Sequence, residues 1–366
     1  MNQRIVVKIG SSSLTSEHGG LDKNQIRYYA KELKSLTDLG LQVVLVTSGA
    51  VAAGFRAIGY ETRPKQLHEK QAAAAVGQAL LMQAYQESLQ PYGITAAQIL
   101  LTRQDFANRK RGHNAHMTIE ELLKQGIIPI VNENDTVSVD ELKFGDNDTL
   151  SALVANLVHA ESVIIITDTD GLYTADPRSN PEARRFERIE QITEQIYAYA
   201  GGAGTSVGTG GMRSKLDAAR IAMRGGVSAF VGRVHEAGDL LQAVNGSGKG
   251  TYFETQLHSL PVKKQWLGFH STPLGRIRVD EGAEHALLIK GSSLLPVGIT
   301  DVHGQFHPGD VVEVIGVDGR LIGRGIVNYD YAQLRKVAGW STADVLMALE
   351  VARIEVIHRD EWVTLR

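Results

Sequence analysis

Short apolar segments alternate with amphipathic segments along residues 1–255. Six of the apolar segments have the length and the aliphatic composition of buried strands. They span residues 5–9, 41–47, 94–101, 127–131, 163–167 and 227–231. Residues 22–39 carry apolar side chains at helical spacing, and residues 71–90 have a composition typical of a second helix. This alternation predicts an α/β fold with a mostly parallel sheet sandwiched by helices.

The pattern changes beyond residue 255, where short strands and frequent turns replace the long alternation. The predicted strands there span residues 274–279, 286–289, 310–315 and 321–327, with a last strand near 352–357. A short helix is predicted within residues 334–346. We therefore expect one domain over residues 1–257, a linker over residues 258–272, and a small β-rich domain with a C-terminal tail over residues 273–366.

A lysine lies inside the first predicted strand, between apolar neighbours. Lys8 would be buried there, and a buried charge needs a partner in the folded protein. The alternative is an exposed edge strand, in which the lysine stem covers apolar surface and the ammonium group reaches water. Residues 10–13 favour a functional lysine, because one glycine and three serines suit a tight turn that presents N–H and hydroxyl groups to an anion.

A second lysine follows a glycine-rich segment at residues 201–211. A predicted helix begins at Met212, and Lys215 lies in its first turn. A flexible linker is the alternative interpretation of the glycines, but a glycine-rich segment that leads into a helix is typical of a loop that closes on phosphate groups. Two lysines on two such loops indicate phosphoryl transfer, in which catalysis depends mostly on positioning and on neutralisation of charge. Neither common glycine-rich nucleotide motif is present, so a nucleotide would be bound by another arrangement.

Polar residues lie between several predicted strands and the helices that follow them, near the end of the sheet where ligands of parallel sheets bind. They are Ser48, Gly49, Asp135, Asn147, Asp148, Thr167 and Asp168. Asp135 is placed to accept hydrogen bonds from a ligand ammonium group, and Asp148 is placed to hold both lysines. The backbone N–H of Gly49 is placed to bind a carboxylate at a helix N-terminus. Glu133 is interpreted as an ordinary polar loop residue.

Composition narrows the range of possible functions. The chain has no cysteine, which excludes disulfides, thiolate zinc sites and a cysteine nucleophile. A net charge of −3 gives no general reason to expect a nucleic acid or an anionic membrane as a partner. No apolar run approaches the roughly 20 residues that span a bilayer. The first strand begins too close to Met1 for a signal peptide, so we expect a cytoplasmic protein with no membrane partner.

Taken together, these segments resemble the amino acid kinase family, and the β-rich tail resembles a PUA domain. The matching stretches are residues 7–11, 46–51, 131–135, 144–148, 168–173 and 209–212. Their order and spacing argue against chance agreement. Within the family, the likeness is greatest to the members that phosphorylate free glutamate.

The resemblance implies transfer of the γ-phosphoryl group of ATP to the γ-carboxylate of L-glutamate, the first step of proline biosynthesis. It assigns catalysis to Lys8, Lys215 and Asp148, and glutamate binding to Ser48, Gly49, Asp135 and Asn147. It assigns ATP binding to Lys8, Gly10, Thr167, Asp168, Thr209, Gly210, Gly211, Met212, Arg213, Ser214 and Lys215. Mg²⁺ would be held mainly through phosphate oxygens, with no metal-binding residue of the protein.

Two alternatives remain at this point. Within the family, the acceptor of the phosphoryl group would be N-acetylglutamate, aspartate or carbamate. Outside it, the PUA domain would bind RNA, but residues 273–366 hold ten Lys and Arg against thirteen Asp and Glu, and this balance argues against RNA. The resemblance also implies a homo-oligomer and feedback inhibition by proline.

Overall fold

A computed structural model describes most of the chain. The described residues are 3–16, 20–138, 147–200, 211–255, 267–268, 271, 273–349 and 353–365. The chain divides into two compact units, one formed by residues 1–105 and 110–259 and the other by residues 106–109 and 260–366. Most of the predicted linker, at residues 258–272, lies outside the described residues.

An eight-stranded sheet, counted over the described residues, forms the centre of the first unit. Its strands β1 to β8 are Arg4–Ile9, Gln42–Val46, Ala96–Leu101, Ile128–Glu133, Ser162–Ile166, Arg188–Ile189, Ser228–Gly232 and Gly250–Phe253. The order across the sheet is β3-β4-β2-β1-β5-β7-β8-β6. The β7–β8 pair is antiparallel and the other six pairs of neighbouring described strands are parallel, so the prediction of a mostly parallel sheet is confirmed. The sequence pattern did not reveal β6 and β8.

Helices separate these strands along the chain, except between β5 and β6. Within the described residues, helices α1 to α9 are Lys23–Asp38, Ala50–Gly54, Leu67–Leu89, Arg103–Ala107, Arg109–Lys124, Asn147–Leu157, Glu194–Ala200, Met212–Arg224 and Asp239–Val244. Helix α1 begins where the Asp22 carboxylate accepts the backbone N–H groups of Asn24 and Gln25. Its apolar side belongs to a core of aliphatic and aromatic side chains that also includes residues of β1 and β2, and Ile26 and Leu33 are part of it.

Helix α2, which follows the polar turn after β2, touches helix α3 backbone to backbone. A Cβ atom on Gly77 would lie 1.8 Å from the carbonyl oxygen of Ala50, and one on Gly54 would lie 2.0 Å from that of Ala73. Only glycine permits this approach. The two glycines therefore fix where α2, and the turn that precedes it, lies on the sheet.

Replacing Gly77 by alanine is expected to lower the free energy of unfolding by about 1–3 kcal/mol, because α2 and α3 must separate to admit the methyl group. The measurement is urea denaturation followed by circular dichroism. Gly282→Ala is the matched control, since that helical glycine has only Asp280 Oδ1, at 3.5 Å, near the new Cβ. If both variants unfold at the same urea concentration, the close contact does not limit stability.

A charged cluster lies at the amino end of β1, near the end of helix α6. Arg4 donates to Glu120 at 2.6 Å, and the rings of His116 and His159 have their centroids 6.0 Å apart. Burial first, and then the charges of His116 and Arg4, lower the pKa of His159 below its ordinary value of 6.5. His159 also has a φ of 50°, in the left-handed region that asparagine tolerates.

This cluster makes stability depend on pH. Because the folded pKa of His159 is lowered, the unfolded chain binds a proton more readily below about pH 6.5, and the free energy of unfolding should fall as the pH drops below that value. His159→Asn should weaken this dependence. Denaturant midpoints measured from pH 7.5 down to pH 5 give the comparison, and equal slopes for both proteins would contradict it.

The second unit contains a five-stranded sheet among its described residues. Strands β9 to β13 are Gly275–Val279, Ile299–Gly304, Val311–Ile315, Leu321–Val327 and Ile357–Thr364, and helices α10 to α12 are Glu281–Leu288, Tyr331–Val337 and Thr342–Ala348. The order across the sheet is β10-β9-β11-β12-β13. The predicted α/β fold followed by a small β-rich domain is therefore confirmed.

Two predicted strands of this unit are wrong. Residues 286–289 form the end of helix α10 and the residue after it, because Asp280 accepts the backbone N–H of Ala283 and starts a helix. A four-residue apolar run does not distinguish a strand from a buried helical turn. The last strand is Ile357–Thr364 and lies later than predicted. Two short helices, α11 and α12, stand where one was expected.

Candidate active site

Lys8 lies in a central strand of the sheet. In the backbone register it is paired with Val46 of β2 on one side and with Ile165 of β5 on the other. The alternative of an exposed edge strand is therefore wrong. The lysine is only 6% exposed, although it carries a charge, and such a group requires an ionic or hydrogen-bonded partner.

Asp148 is that partner, and it also holds the second lysine. The Lys8 Nζ lies 2.5 Å from Asp148 Oδ1, and the Lys215 Nζ lies 3.1 Å from Asp148 Oδ2. The hydroxyl group of Ser214 donates to the same Oδ2 at 3.1 Å. Helix α6 supplies the carboxylate from its first turn, and helix α8 supplies Lys215 from its own first turn. Lys8 and Lys215, which are far apart in the sequence, therefore both contact Asp148 at the end of β1.

Electrostatics keep Asp148 ionised. Burial by itself would raise the pKa of this fully buried carboxyl, but the charges and hydrogen bonds of Lys8 and Lys215 lower it below its ordinary value. The three side chains together carry two ammonium groups and one carboxylate. Each ammonium group has three N–H donors, so the cluster is suited to bind anionic oxygens such as those of a phosphoryl group.

Small residues bring two turns close to this cluster. A Cβ atom on Gly10 would lie 3.3 Å from the Lys8 Nζ, so the backbone of this residue runs beside the ammonium group. Gly49 has a φ of 102°, which favours glycine, and a Cβ atom added there would lie 3.8 Å from Thr15 and 4.0 Å from Ser11. The turn after β1 and the turn after β2 therefore adjoin each other.

Asn147 joins the turn after β2 to strand β4. Its amide nitrogen donates to the carbonyl oxygen of Thr47 at 2.5 Å, to Ser48 Oγ at 2.9 Å and to Asn132 Oδ1 at 2.8 Å. The structure thus brings together Ser48 and Asn147, two of the predicted glutamate-binding residues. Asn132 was not predicted as a site residue, and its place at the end of an apolar strand was the signal that could have identified it.

Asp135 lies in the turn directly after β4 and is half-buried. The backbone N–H of Asn134 donates to Leu101 at 2.9 Å, and that of Ser138 donates to Asn134 at 3.1 Å, so the turn is anchored at both ends. The interpretation of Glu133 as a loop residue is wrong. It is the last residue of β4, it is 9% exposed, and its carboxylate accepts the hydroxyl of Ser138 at 3.1 Å.

The residues assigned to ATP follow β5 and precede α8. Thr167 is buried at the end of β5 and donates to Asp168 Oδ1 at 3.0 Å, while Asp168 itself is exposed. Gly211 is the exposed residue before helix α8, whose first turn contains Met212, Arg213, Ser214 and Lys215. Thr209 and Gly210 lie outside the described residues.

Strand order separates two groups of candidate residues. Across the sheet, β4 and β2 lead to the residues assigned to glutamate, β5 leads to Thr167 and Asp168, and β1 with Lys8 lies between them. All four strands are parallel, so their carboxyl ends lie at one edge of the sheet. A phosphoryl donor bound beyond β5 and a phosphoryl acceptor bound beyond β2 and β4 would therefore meet near Lys8. Phosphoryl transfer requires this arrangement.

In the part of the chain that the structure describes, no helix is both long enough and apolar enough to span a membrane. There, too, no three His, Asp or Glu side chains are grouped so that they could hold a metal ion.

Known proteins resemble this chain over both units. The model of the amino acid kinase family matches residues 3–233, and that of the PUA domain matches residues 275–347. The glutamate 5-kinase of Geobacillus kaustophilus (strain HTA426) is 51% identical over 365 residues, which are 100% of this chain and 98% of that protein. The glutamate 5-kinase of Bacillus cereus (strain G9842) is 48% identical over 364 residues, 99% of each chain.

A solved structure supports the same fold. Carbamate kinase from Giardia lamblia bound to AMP-PNP has a TM-score of 0.50 and 16% identity to this chain, and the match covers 70% of this chain and 99% of that one. At this identity the likeness concerns the fold alone.

Proposed function

Because the chain belongs to the amino acid kinase family, we propose that it transfers the γ-phosphoryl group of ATP to the γ-carboxylate of L-glutamate. The products are L-glutamyl 5-phosphate and ADP, and the reaction is the first step of proline biosynthesis. The observation that carries this proposal is the identity of about half of all positions, over the full chain, to proteins named glutamate 5-kinase. N-acetylglutamate, aspartate and carbamate remain the alternative acceptors to be tested.

The lysine–aspartate cluster supports the chemical step. A γ-carboxylate oxygen forms the new bond to phosphorus while the bond from phosphorus to the bridging oxygen of ADP breaks. The carboxylate is already ionised at neutral pH, so no general base is required. Repulsion between two anions limits the reaction, and the buried ammonium groups of Lys8 and Lys215 would offset it. Asp148 would hold both lysines in place.

The glutamate site would be formed at the carboxyl ends of β2 and β4. Ser48 and the backbone N–H of Gly49 are candidates to bind a substrate carboxylate, since Gly49 immediately precedes helix α2. Asp135 is the candidate partner of the α-ammonium group. Asn147, which bonds to Ser48, lies beside these groups. A free α-ammonium group distinguishes glutamate from N-acetylglutamate, and an anionic partner for it favours glutamate.

The ATP site would be formed by Gly10 after β1, by Thr167 and Asp168 after β5, and by the start of α8. The N-terminus of α8 and Lys215 suit phosphate oxygens, because both present N–H donors. Thr209 and Gly210 belong to this proposal from the sequence alone. When bound, Mg²⁺ would neutralise phosphate charge, held mainly by the phosphate oxygens themselves.

A coupled assay of ADP release tests the function directly. L-glutamate, N-acetylglutamate, aspartate and carbamate are compared as acceptors, with hydroxylamine present to trap an acyl phosphate. We expect glutamate to give the highest kcat/KM and a hydroxamate product. A preference for N-acetylglutamate, or ADP release without hydroxamate, would overturn the proposal.

Two expectations rest on the family resemblance alone: we propose that the chain forms a homo-oligomer and that proline inhibits it. We propose as well that it acts in the cytoplasm. We also propose that the domain boundaries lie at residues 257 and 273. The second unit matches the PUA domain, and the acidic balance of its sequence gives no support to an RNA-binding role.

A further inference from the structure

A row of hydrogen-bonded amide side chains runs from the candidate glutamate site to helix α3 and on to strand β3. Its two middle members are buried, whereas Asn147 is half-buried and Gln98 is exposed. Asn147 donates to Asn132, Asn132 donates to Gln78 at 2.8 Å, and Gln78 donates to Gln98 at 3.0 Å. Asn132 is 1% exposed and Gln78 is 8% exposed. A buried amide is costly unless it is hydrogen-bonded, so Asn132 and Gln78 depend on the bonds of this row.

Backbone groups fix the direction of this row. The carbonyl oxygen of Thr47 can only accept, so it must face the amide nitrogen of Asn147. The backbone N–H of Glu133 can only donate, and it lies 2.9 Å from Asn132 Oδ1. Asn132 must therefore turn its own nitrogen towards helix α3. There the Asn132 nitrogen donates to the side-chain carbonyl oxygen of Gln78. The Gln78 amide can accept this bond only if its oxygen faces Asn132.

The orientation of these amides determines which atom of Asn147 faces the ligand. The Asn147 nitrogen has two N–H groups and three acceptors of the protein within hydrogen-bond distance, and no described residue donates to the Asn147 carbonyl oxygen. Asn147 is partly exposed at the site, so this oxygen is available to a donor. Among the charged groups of glutamate, only the α-ammonium group is a donor.

We propose that Gln78 is a positioning residue for the glutamate site. By accepting from Asn132, it acts together with the backbone N–H of Glu133 to hold the Asn132 oxygen towards Asn147, and so helps to leave the Asn147 oxygen for the α-ammonium group of the substrate. Asp135 and the Asn147 oxygen then recognise the same group. This inference rests on the proposed function and adds to it a residue that lies behind the residues assigned to glutamate.

Gln78→Leu tests the proposal, since leucine fills the space but cannot accept from Asn132. The glutamate KM is expected to rise about tenfold, with kcat and the ATP KM changed less than about twofold. Gln78→Glu keeps an oxygen acceptor for Asn132 and should restore a glutamate KM close to that of the unmodified protein. Gln83→Leu is the control, because Gln83 lies on the same helix but is exposed, and among the described residues its side chain bonds only to Glu87.

Glutarate separates positioning from general loosening of the site. It has both carboxylates of glutamate but no ammonium group, so its inhibition constant should be the same for the unmodified protein and for Gln78→Leu. In Gln78→Leu, an equal rise in the inhibition constant of glutarate and in the KM of glutamate would overturn the inference while the proposed function stands. An unchanged glutamate KM would do the same. An unmodified protein without glutamate-dependent ADP release would overturn both.

Discussion

Replacing Lys215 by methionine is expected to lower kcat by about 10²- to 10³-fold, with a modest change in the glutamate KM. Methionine keeps an apolar stem of similar length but removes the ammonium group that lies 3.1 Å from Asp148. The lost group would act on charge that develops during transfer, which is why the effect falls on kcat. Steady-state assays at saturating ATP and glutamate provide the measurement.

The same variant should fold normally. Lys8 and Asp148 remain as a buried pair of opposite charge, 2.5 Å apart, so no charge loses its last partner. The thermal midpoint is therefore expected to stay close to that of the unmodified protein. Lys31→Met, at an exposed position of helix α1, controls for the change of residue type. A Lys215→Met variant with normal turnover would show that one lysine is enough.

Replacing Asp135 by asparagine is expected to act on glutamate binding. The substrate ammonium group would lose its anionic partner in a desolvated pocket, which costs about 2–5 kcal/mol by analogy with truncated buried charge pairs. The glutamate KM should rise at least about thirtyfold, because each 1.4 kcal/mol is a factor of ten. ATP affinity without glutamate should change little, and isothermal titration calorimetry measures it separately.

Two comparisons sharpen this expectation. Glu121→Gln removes an acidic charge at an exposed position of helix α5 and should leave the glutamate KM unchanged. Glutarate, which has no ammonium group, should inhibit Asp135→Asn as well as it inhibits the unmodified protein. Normal glutamate KM in Asp135→Asn would assign the residue to the loop surface instead.

Gln78 and Asp135 are distinguishable by the size of their effects. Asp135 would contact the substrate directly with a full charge, whereas Gln78 would act only by orienting two amides. Combining Gln78→Leu with Asp135→Asn should therefore give less than the sum of the two separate effects on glutamate binding, since both serve the same ammonium group. Additive effects on glutamate binding would show that Gln78 and Asp135 do not serve the same ammonium group.

The sequence by itself determined six of the eight described strands of the first unit, β1 to β5 and β7, and the residues that follow them. Strand and helix periodicity is a local property, because burial of one face dictates which positions are apolar. Lys8 was identified for the same reason, as a charge inside an apolar strand. The wrong strand at residues 286–289 shows the limit of such patterns, since a short apolar run does not reveal the N-cap at Asp280 that starts a helix.

Only the tertiary structure decided which of these residues meet. The order of strands in the sheet places β1 between β2 and β5, and no local pattern encodes that order. Asp148 contacts Lys8 and Lys215 because α6 and α8 both begin at the same edge of the sheet. The row from Asn147 to Gln78 was invisible in the sequence for the same physical reason. Its hydrogen bonds join residues from separate strands and helices, and their partners are set by packing.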